Sequence, residues 1–283
     1  MPTIKIGIIG GSGLYDMEGL SNIHEKEIPT PFGAPSDAFI IGEIAGIAVA
    51  FLPRHGRGHR HIPTEVPYKA NIYAMKALGV QQIISVSACG SLRENMAPGH
   101  IVIPDQLFDF TKLRSSSFFG DGAVAHVSVA DPFCSTLSQK LADATSAEDG
   151  TVHHGGTFIT IEGPRFSTKA ESRVYRAWGM DIIGMTASPE AFLAREAGIC
   201  YATMAHVTDY DVWHESEEVV TVDMVIQQLQ QNITLAQNTI KRLIPQLATM
   251  TCDCQHALDN AVMTASDLMP STTRERLAFL LQK

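Results

Sequence analysis

The sequence predicts an α/β protein, a single three-layer domain in which a mixed central sheet is flanked by helices. Three observations lead there. Short β-branched runs alternate with segments of helical periodicity along most of the chain. The 283 residues are 45% hydrophobic, enough for one sizeable core. No Pro/Ser/Gly-rich linker and no internal repeat divides the chain, so residues 1–283 read as one domain, with those after about 245 as a helical extension.

Ile4 to Ile9 is the first strand, and it breaks at Gly10-Gly11-Ser12-Gly13. Asp37 to Glu43 and Ile47 to Leu52 follow as strands, joined by the turn-like Ala45-Gly46. Thr64 to Leu78 reads as a helix, with Ala70, Tyr73, Ala74, Ala77 and Leu78 on one stripe and Gly79 as its stop. Gln82 to Ser87 is a buried strand ending at Ala88-Cys89-Gly90. Ile101 to Ile103, Thr157 to Ile161 and Asp181 to Ile183 are short strands. Pro189 to Ala197 is a helix opened by proline in its first turn, and Cys200 to Val207 is the last strand. From about Thr221 to Ile244 apolar residues keep a 3.6-residue rhythm, and Pro245 is expected to end that helix.

Charge and composition exclude several classes of function. Lys and Arg number 21 against 30 Asp and Glu, a net charge of −9, and no basic run reaches four residues. Nucleic-acid and anionic-membrane partners are therefore not expected. No stretch reaches the roughly 18 apolar residues of a membrane helix. Met1-Pro2-Thr3-Ile4-Lys5 lacks the apolar core of a signal peptide, and five cysteines read as reduced thiols, so a cytoplasmic protein is expected.

Candidate chemistry gathers where strands end. The Gly10-Gly11-Ser12-Gly13 turn offers free amides and a hydroxyl to an oxyanion, but Asp16 stands where a dinucleotide fingerprint needs its third glycine. Arg54, His55, Arg57, His59, Arg60 and His61 form a local cation cluster that is either a phosphate site or a solvated loop; no matching carboxylate or thiolate suggests a metal. Ser87 to Ser91 ends a buried strand in small residues that let backbone amides approach a ligand, with Cys89 a small buried hydrophobe. Phe166 could stack on a flat base or belong to the core, and Glu162 and Arg165 are expected to pair with each other. Asp209 and Asp211 end the last strand, either as purine-facing carboxylates or as a cap, an Asx-turn or a cation site. Together these groups suit transfer of a sugar between a purine and phosphate.

The ordered set is recognisable. Gly7-Ile8-Ile9-Gly10-Gly11-Ser12-Gly13, Pro31-Phe32-Gly33, Arg54-His55-Gly56 and Ala88-Cys89-Gly90-Ser91-Leu92-Arg93 open it. Glu162-Gly163-Pro164-Arg165-Phe166, Met185-Thr186-Ala187-Ser188-Pro189-Glu190 and Thr208-Asp209-Tyr210-Asp211 complete it. Across about residues 4 to 245 the chain resembles the purine nucleoside phosphorylase family, in the branch that cleaves 5′-methylthioadenosine. That resemblance implies phosphate binding by Ser12, Arg54, His55, Ser87, Ala88 and Thr186. It implies Met185 under the ribose, Phe166 on the purine, and Asp209 and Asp211 facing the base as the catalytic pair. Val222, Val225 and Ile226 would line the methylthio pocket, and His126 would come from a neighbouring subunit of a trimer or a pair of trimers. Ser12 and Ser87 replace the threonine of relatives and keep its hydroxyl, whereas Gly184 replaces an asparagine beside Met185. The last forty residues match weakly, and Cys252 and Cys254 there are read as ordinary reduced thiols near the surface, the alternative being the disulfide chemistry that the resemblance to some thermophilic relatives implies for such a pair. The implied substrates are methylthioadenosine and phosphate, with no cofactor and no metal. Rival readings are a methylthioinosine or general purine nucleoside phosphorylase, a nucleotide-cofactor oxidoreductase, or a nucleoside-binding protein without turnover.

Overall fold

Eleven strands form one mixed sheet among the residues that the computed structural model describes, 4–214 and 222–281. The side chains of Ser12 and of residues 222–231 are outside that description, so the candidates Ser12, Val222, Val225 and Ile226 lie outside the described side chains.

The strands are β1 (Ile6–Gly10), β2 (Ser21–Lys26), β3 (Phe39–Ile44), β4 (Ile47–Pro53), β5 (Gln82–Ser91) and β6 (Ile101–Ile103). They continue with β7 (Gln106–Phe110), β8 (Val152–His154), β9 (Thr157–Ile161), β10 (Ile182–Gly184) and β11 (Cys200–Asp209). The main path runs β2-β3-β4-β1-β5-β10-β9-β7, while β11 pairs with β5 and β6, and β8 pairs with β6. The helices are α1 (Tyr68–Leu78), α2 (Ser135–Ser146), α3 (Lys169–Ala177), α4 (Ala187–Glu196), α5 (Val222–Leu247), α6 (Ser271–Arg276) and α7 (Ala278–Leu281).

The three layers follow from the two-residue period of buried strands. In β4, Ala50 and Leu52 join the core beneath α1 and α4, whereas Val49 and Phe51 join the core beneath α2 and α5. Both faces are covered, which is why β1 and β4 read as nearly unbroken apolar runs. The C-terminal segment packs on the α1/α4 side through Met269, Leu277 and Leu280. No helix among the described residues is long and apolar enough to cross a membrane.

Several boundaries differ from expectation, each for a physical reason. The first helix starts at Tyr68 rather than Thr64, because Pro67 disfavours helical backbone in the residue before it and becomes the N-cap. Helix α4 is bounded at Ala187, two residues before the expected Pro189, but Ser188 keeps extended backbone and the regular turns start at Pro189 as expected. Pro245 does not end α5: Ile244 and Leu247 are fully buried and hold the last turn in place around it. The small residues after Ser87 remain in β5, paired with β11 and then with β10.

That last pairing creates the site. Strand β5 leaves its parallel partner β1 at Ser85 and meets its antiparallel partner β10 only at Gly90. Between them, Val86, Ser87, Ala88 and Cys89 have no strand neighbour on that side, and all four line a cavity of about 810 Å³. The cavity lies beyond the carboxyl ends of β1, β4, β5 and β11, where open α/β sheets hold ligands.

Candidate active site

One end of the cavity is built around Arg54, which follows β4 and is 3% exposed. Its Nε and Nη2 donate to the two carboxylate oxygens of Glu190, both at 2.8 Å. Nη2 also reaches Ser85 Oγ at 2.6 Å, and Nη1 donates to the Val86 carbonyl at 3.0 Å. Tyr201 adds its hydroxyl to Glu190 Oε1 at 2.8 Å. The expected local cation cluster is thus neutralised by its own fold. Arg57 is spent on Glu25 and Asp37, at 2.6 and 2.8 Å, and Arg60 reaches Asp37 at 3.1 Å. His55 is neutral at neutral pH, because burial lowers its pKa to about 4. Its Nδ1 lies 2.9 Å from the His61 carbonyl oxygen, which can only accept, so Nε2 is left as an acceptor. The Ser87 hydroxyl is buried at the cavity wall with no hydrogen-bond partner, and Ala88 and Thr186 complete this end.

The other end is acidic. A register shift between Val207 and Asp209 bulges β11 around Thr208 and re-aims Asp209. Asp209 and Asp211 are each 8% exposed. Burial raises Asp209 to a pKa of about 6, the Thr208 hydroxyl and Asp211 amide pull the other way, and the Asp211 charge adds a smaller upward push. The Thr208 hydroxyl lies 2.6 Å from Asp209 Oδ2 and 3.2 Å from the Cys89 carbonyl. Thr208 has one proton for two acceptors, so both contacts are satisfied together only when Asp209 carries a proton. Burial raises Asp211 as well, offset by the nearby Ser172 hydroxyl. Asp211 stands at φ +51°, a left-handed conformation that aspartate tolerates better than most residues. Its amide donates to Asp209 Oδ1 at 2.8 Å.

The structure brings Gly10, Gly11, Arg54, His55, Ser87, Ala88, Phe166, Met185, Thr186, Asp209 and Asp211 to the walls of one cavity. Phe166 is 39% exposed at its rim, not packed in the core. His126 is the exception: it is exposed outside the cavity, its amide tied to the Ala261 carbonyl. Arg165 and Glu162 do not pair. Arg165 holds Glu171 at 2.6 Å, while Glu162 holds Arg114 at 3.0 Å.

A model of the phosphorylase superfamily matches residues 5–245. The chain belongs to that superfamily. It is 53% identical over 278 residues to the S-methyl-5′-thioadenosine phosphorylase of Geobacter sulfurreducens, covering 98% of this chain and 97% of the relative. A methylthioadenosine phosphorylase from an Antarctic soil metagenomic library superposes with a TM-score of 0.96 at 51% identity over 100% of both chains. The adenosine/methylthioadenosine phosphorylase of Schistosoma mansoni, solved as a mutant with methylthioadenosine, gives 0.85 at 36% identity over 94% of this chain and all of its own.

Sequence reasoning missed four groups that shape this phosphorylase. Glu190 carries no signal of its own within its motif, because its partner Arg54 lies 136 residues away. Arg114 is a buried positioning residue: Nη1 donates to the Met185 and Ser188 carbonyls at 2.6 and 2.8 Å, and Nη2 to the Glu162 carbonyl at 2.7 Å. It pins two cavity-forming loops from a polar stretch with no periodic signal. His206 faces the cavity from β11 with both ring nitrogens unpartnered, its pKa lowered to about 4 by burial. Gly90 leaves room for the acid, since a Cβ there would sit 2.8 Å from Asp209 Oδ1 and push that carboxyl aside. Gly184 has a comparable reason, because a Cβ would meet the Phe158 ring at 2.7 Å.

Proposed function

We propose that this phosphorylase cleaves 5′-methylthioadenosine with inorganic phosphate, giving adenine and 5-methylthioribose 1-phosphate for purine and methionine salvage. The observation that carries this reading is Asp209, a carboxylic acid with its pKa raised to about 6 at the far end of the cavity from Arg54 and Ser87. The names of relatives about half identical over nearly the whole chain support it.

Phosphate sits among Arg54, His55, Ser87, Thr186, the Ala88 amide and Ser12. The His55 Nε2 acceptor suits a phosphate that still carries one O–H. Because Glu190 cancels the charge of Arg54, the strongest countercharge to phosphate arises during the reaction itself, on the oxocarbenium-like ribosyl group. The C1′–N9 bond breaks with its electron pair moving into the purine. Asp209 supplies the proton at N7, and a phosphate oxygen bonds to C1′ from the opposite face. Asp211 helps face the base, Phe166 covers the purine, and Met185 lies under the ribose. Val222, Val225 and Ile226 receive the methylthio group. No cofactor or metal enters these steps. The active form is a cytoplasmic trimer or pair of trimers in which His126 reaches a neighbour's cavity.

The deciding experiment incubates the enzyme with methylthioadenosine, with and without phosphate, and separates the products. Adenine and 5-methylthioribose 1-phosphate in equal amounts, only with phosphate, are expected. Adenine released at the same rate without phosphate would identify a hydrolase instead.

A further inference from the structure

Four of the five cysteines converge at the end of β11 away from Asp209. Cys134 is the N-cap of α2, Cys200 is the first residue of β11, and Cys252 and Cys254 flank the start of a short 3-10 helix after α5. Their four Sγ atoms all lie within 4.8 Å of one another, with Cys134 to Cys252 at 3.4 Å and Cys252 to Cys254 at 3.3 Å. Three of the four are buried and Cys252 is half-buried, so Cys252 and Cys254 are not the ordinary surface thiols their sequence suggests.

We propose that these four cysteines form a structural zinc site that staples the C-terminal segment to α2 and β11. A tetrahedral zinc thiolate has Zn–S bonds of about 2.3 Å and therefore sulfur–sulfur edges of about 3.8 Å. The four sulfurs meet that spacing with shifts of a few tenths of an ångström to about an ångström, and the closed set of four leaves no open position for a substrate. Soft thiolates select zinc over the hard cations that carboxylates hold. Binding exchanges four thiol protons for one Zn²⁺, so the filled site carries a net charge of two negatives. Two groups favour that charge. Arg195 Nη1 lies 3.3 Å from Cys254 Sγ, aimed as a donor, and the amino end of the twelve-residue helix α2 faces Cys134.

The site is also mechanically sensible. Residues 250–281 form only short helices and one isolated bridge, Val262 to Ala125, and are otherwise held by core side chains such as Met269, Leu277 and Leu280 on the α1/α4 side. A zinc ion would fix Cys252 and Cys254 against helix α2 and strand β11, on the side of the sheet away from that packing. Asp209 lies nine residues along β11 from Cys200, roughly 30 Å at the usual rise, so metal and active site are independent.

The test uses the full chain, produced with zinc and purified without chelator. Elemental analysis should find one zinc per chain, and cobalt exchanged into the protein should show the absorption bands of a tetrahedral tetrathiolate. Cys252→Ser, at the most exposed ligand, should lose bound zinc. Arg195→Met, which leaves all four ligands in place, should weaken zinc affinity by ~10–100-fold. Both should keep wild-type kcat/KM for methylthioadenosine. Peptide mapping of unreduced protein that finds cysteine–cysteine links within this set would overturn the proposal. So would wild-type protein that binds no zinc with all four thiols free.

Discussion

The two ends of the cavity contain charged groups of opposite sign, and the fold satisfies them differently. At the Arg54 end the guanidinium is locked to Glu190, Ser85 and the Val86 carbonyl, and little is left unpaired. At the Asp209 end a carboxyl sits buried beside a second carboxyl, held by one hydroxyl and one amide. The first arrangement builds a stable cradle whose shape does not depend on pH. The second holds a carboxyl whose pKa burial raises to about 6, and in the proposed reaction it is the group that protonates the leaving base. Under the proposed reaction, the nucleophile meets a neutral, rigid wall and the titrating group is kept for the leaving base.

The sharpest way to break this contrast is Asp209→Asn. An amide cannot give the N7 proton, so kcat with methylthioadenosine should fall by ~10²–10⁴-fold, the usual worth of a positioned general acid. The wild-type enzyme should lose kcat/KM as pH rises through about 6, as the acid is spent, and the variant should lack that limb. Steady-state rates across pH check both. The sign for stability is the same: a raised carboxyl stabilises the fold when protonated and loses that contribution as pH climbs from 3.8 through about 6. Asp209→Asn should therefore gain stability over wild type above that range and not below it, as denaturant titrations would show.

Next in size is Arg54→Ala. Removing one partner of a buried ion pair costs ~3–5 kcal/mol, because Glu190 is left charged and dry. Chemical denaturation should show that loss, and the pair replacement Arg54→Met with Glu190→Leu should recover most of it. The KM for phosphate should rise as well, since the same guanidinium faces the phosphate in the proposed site, and a variant Arg54→Ala that keeps wild-type stability would remove its scaffold role.

Smaller effects sharpen the contrast. Ser87→Ala removes a hydroxyl with no internal partner, so stability should hold while phosphate KM rises by a net hydrogen bond, ~0.5–1.5 kcal/mol. Wild-type enzyme should prefer methylthioadenosine over methylthioinosine by roughly tenfold, since a mismatched buried polar contact costs ~1–3 kcal/mol. Parallel assays with the two nucleosides measure it, and faster cleavage of methylthioinosine would reverse the assignment of the acidic end.

Much of this was legible in the residues. Strands β6 and β9 match their predicted limits because their short apolar runs are bounded by turn residues. Strand β2 was not legible: all six of its residues are exposed at the sheet edge, so no burial imposed a pattern. Helix α3 hides only Ser172 and Tyr175, too few for a stripe. Helix α2 did carry one, Leu137, Leu141 and Ala144, which periodicity could have found. Within the site, groups on strand ends could be named because small, polar and aromatic residues there have few structural uses. Which charge would be cancelled could not, since the Arg54–Glu190 pair and the Cys134–Cys252 contact join residues more than a hundred apart.

The closed Arg54–Glu190 pair also bears on how phosphate arrives. With Arg57 and Arg60 spent on Glu25 and Asp37, this mouth of the cavity projects little positive potential, and the chain as a whole carries a net charge of −9. A phosphate dianion approaching through solvent is pushed away by the long-range field before it meets any donor. Capture then depends on random encounter and short-range hydrogen bonds, not on steering. Added salt, which shortens the reach of that field to ~10 Å or less, should speed phosphate association where it slows most enzymes of anionic substrates.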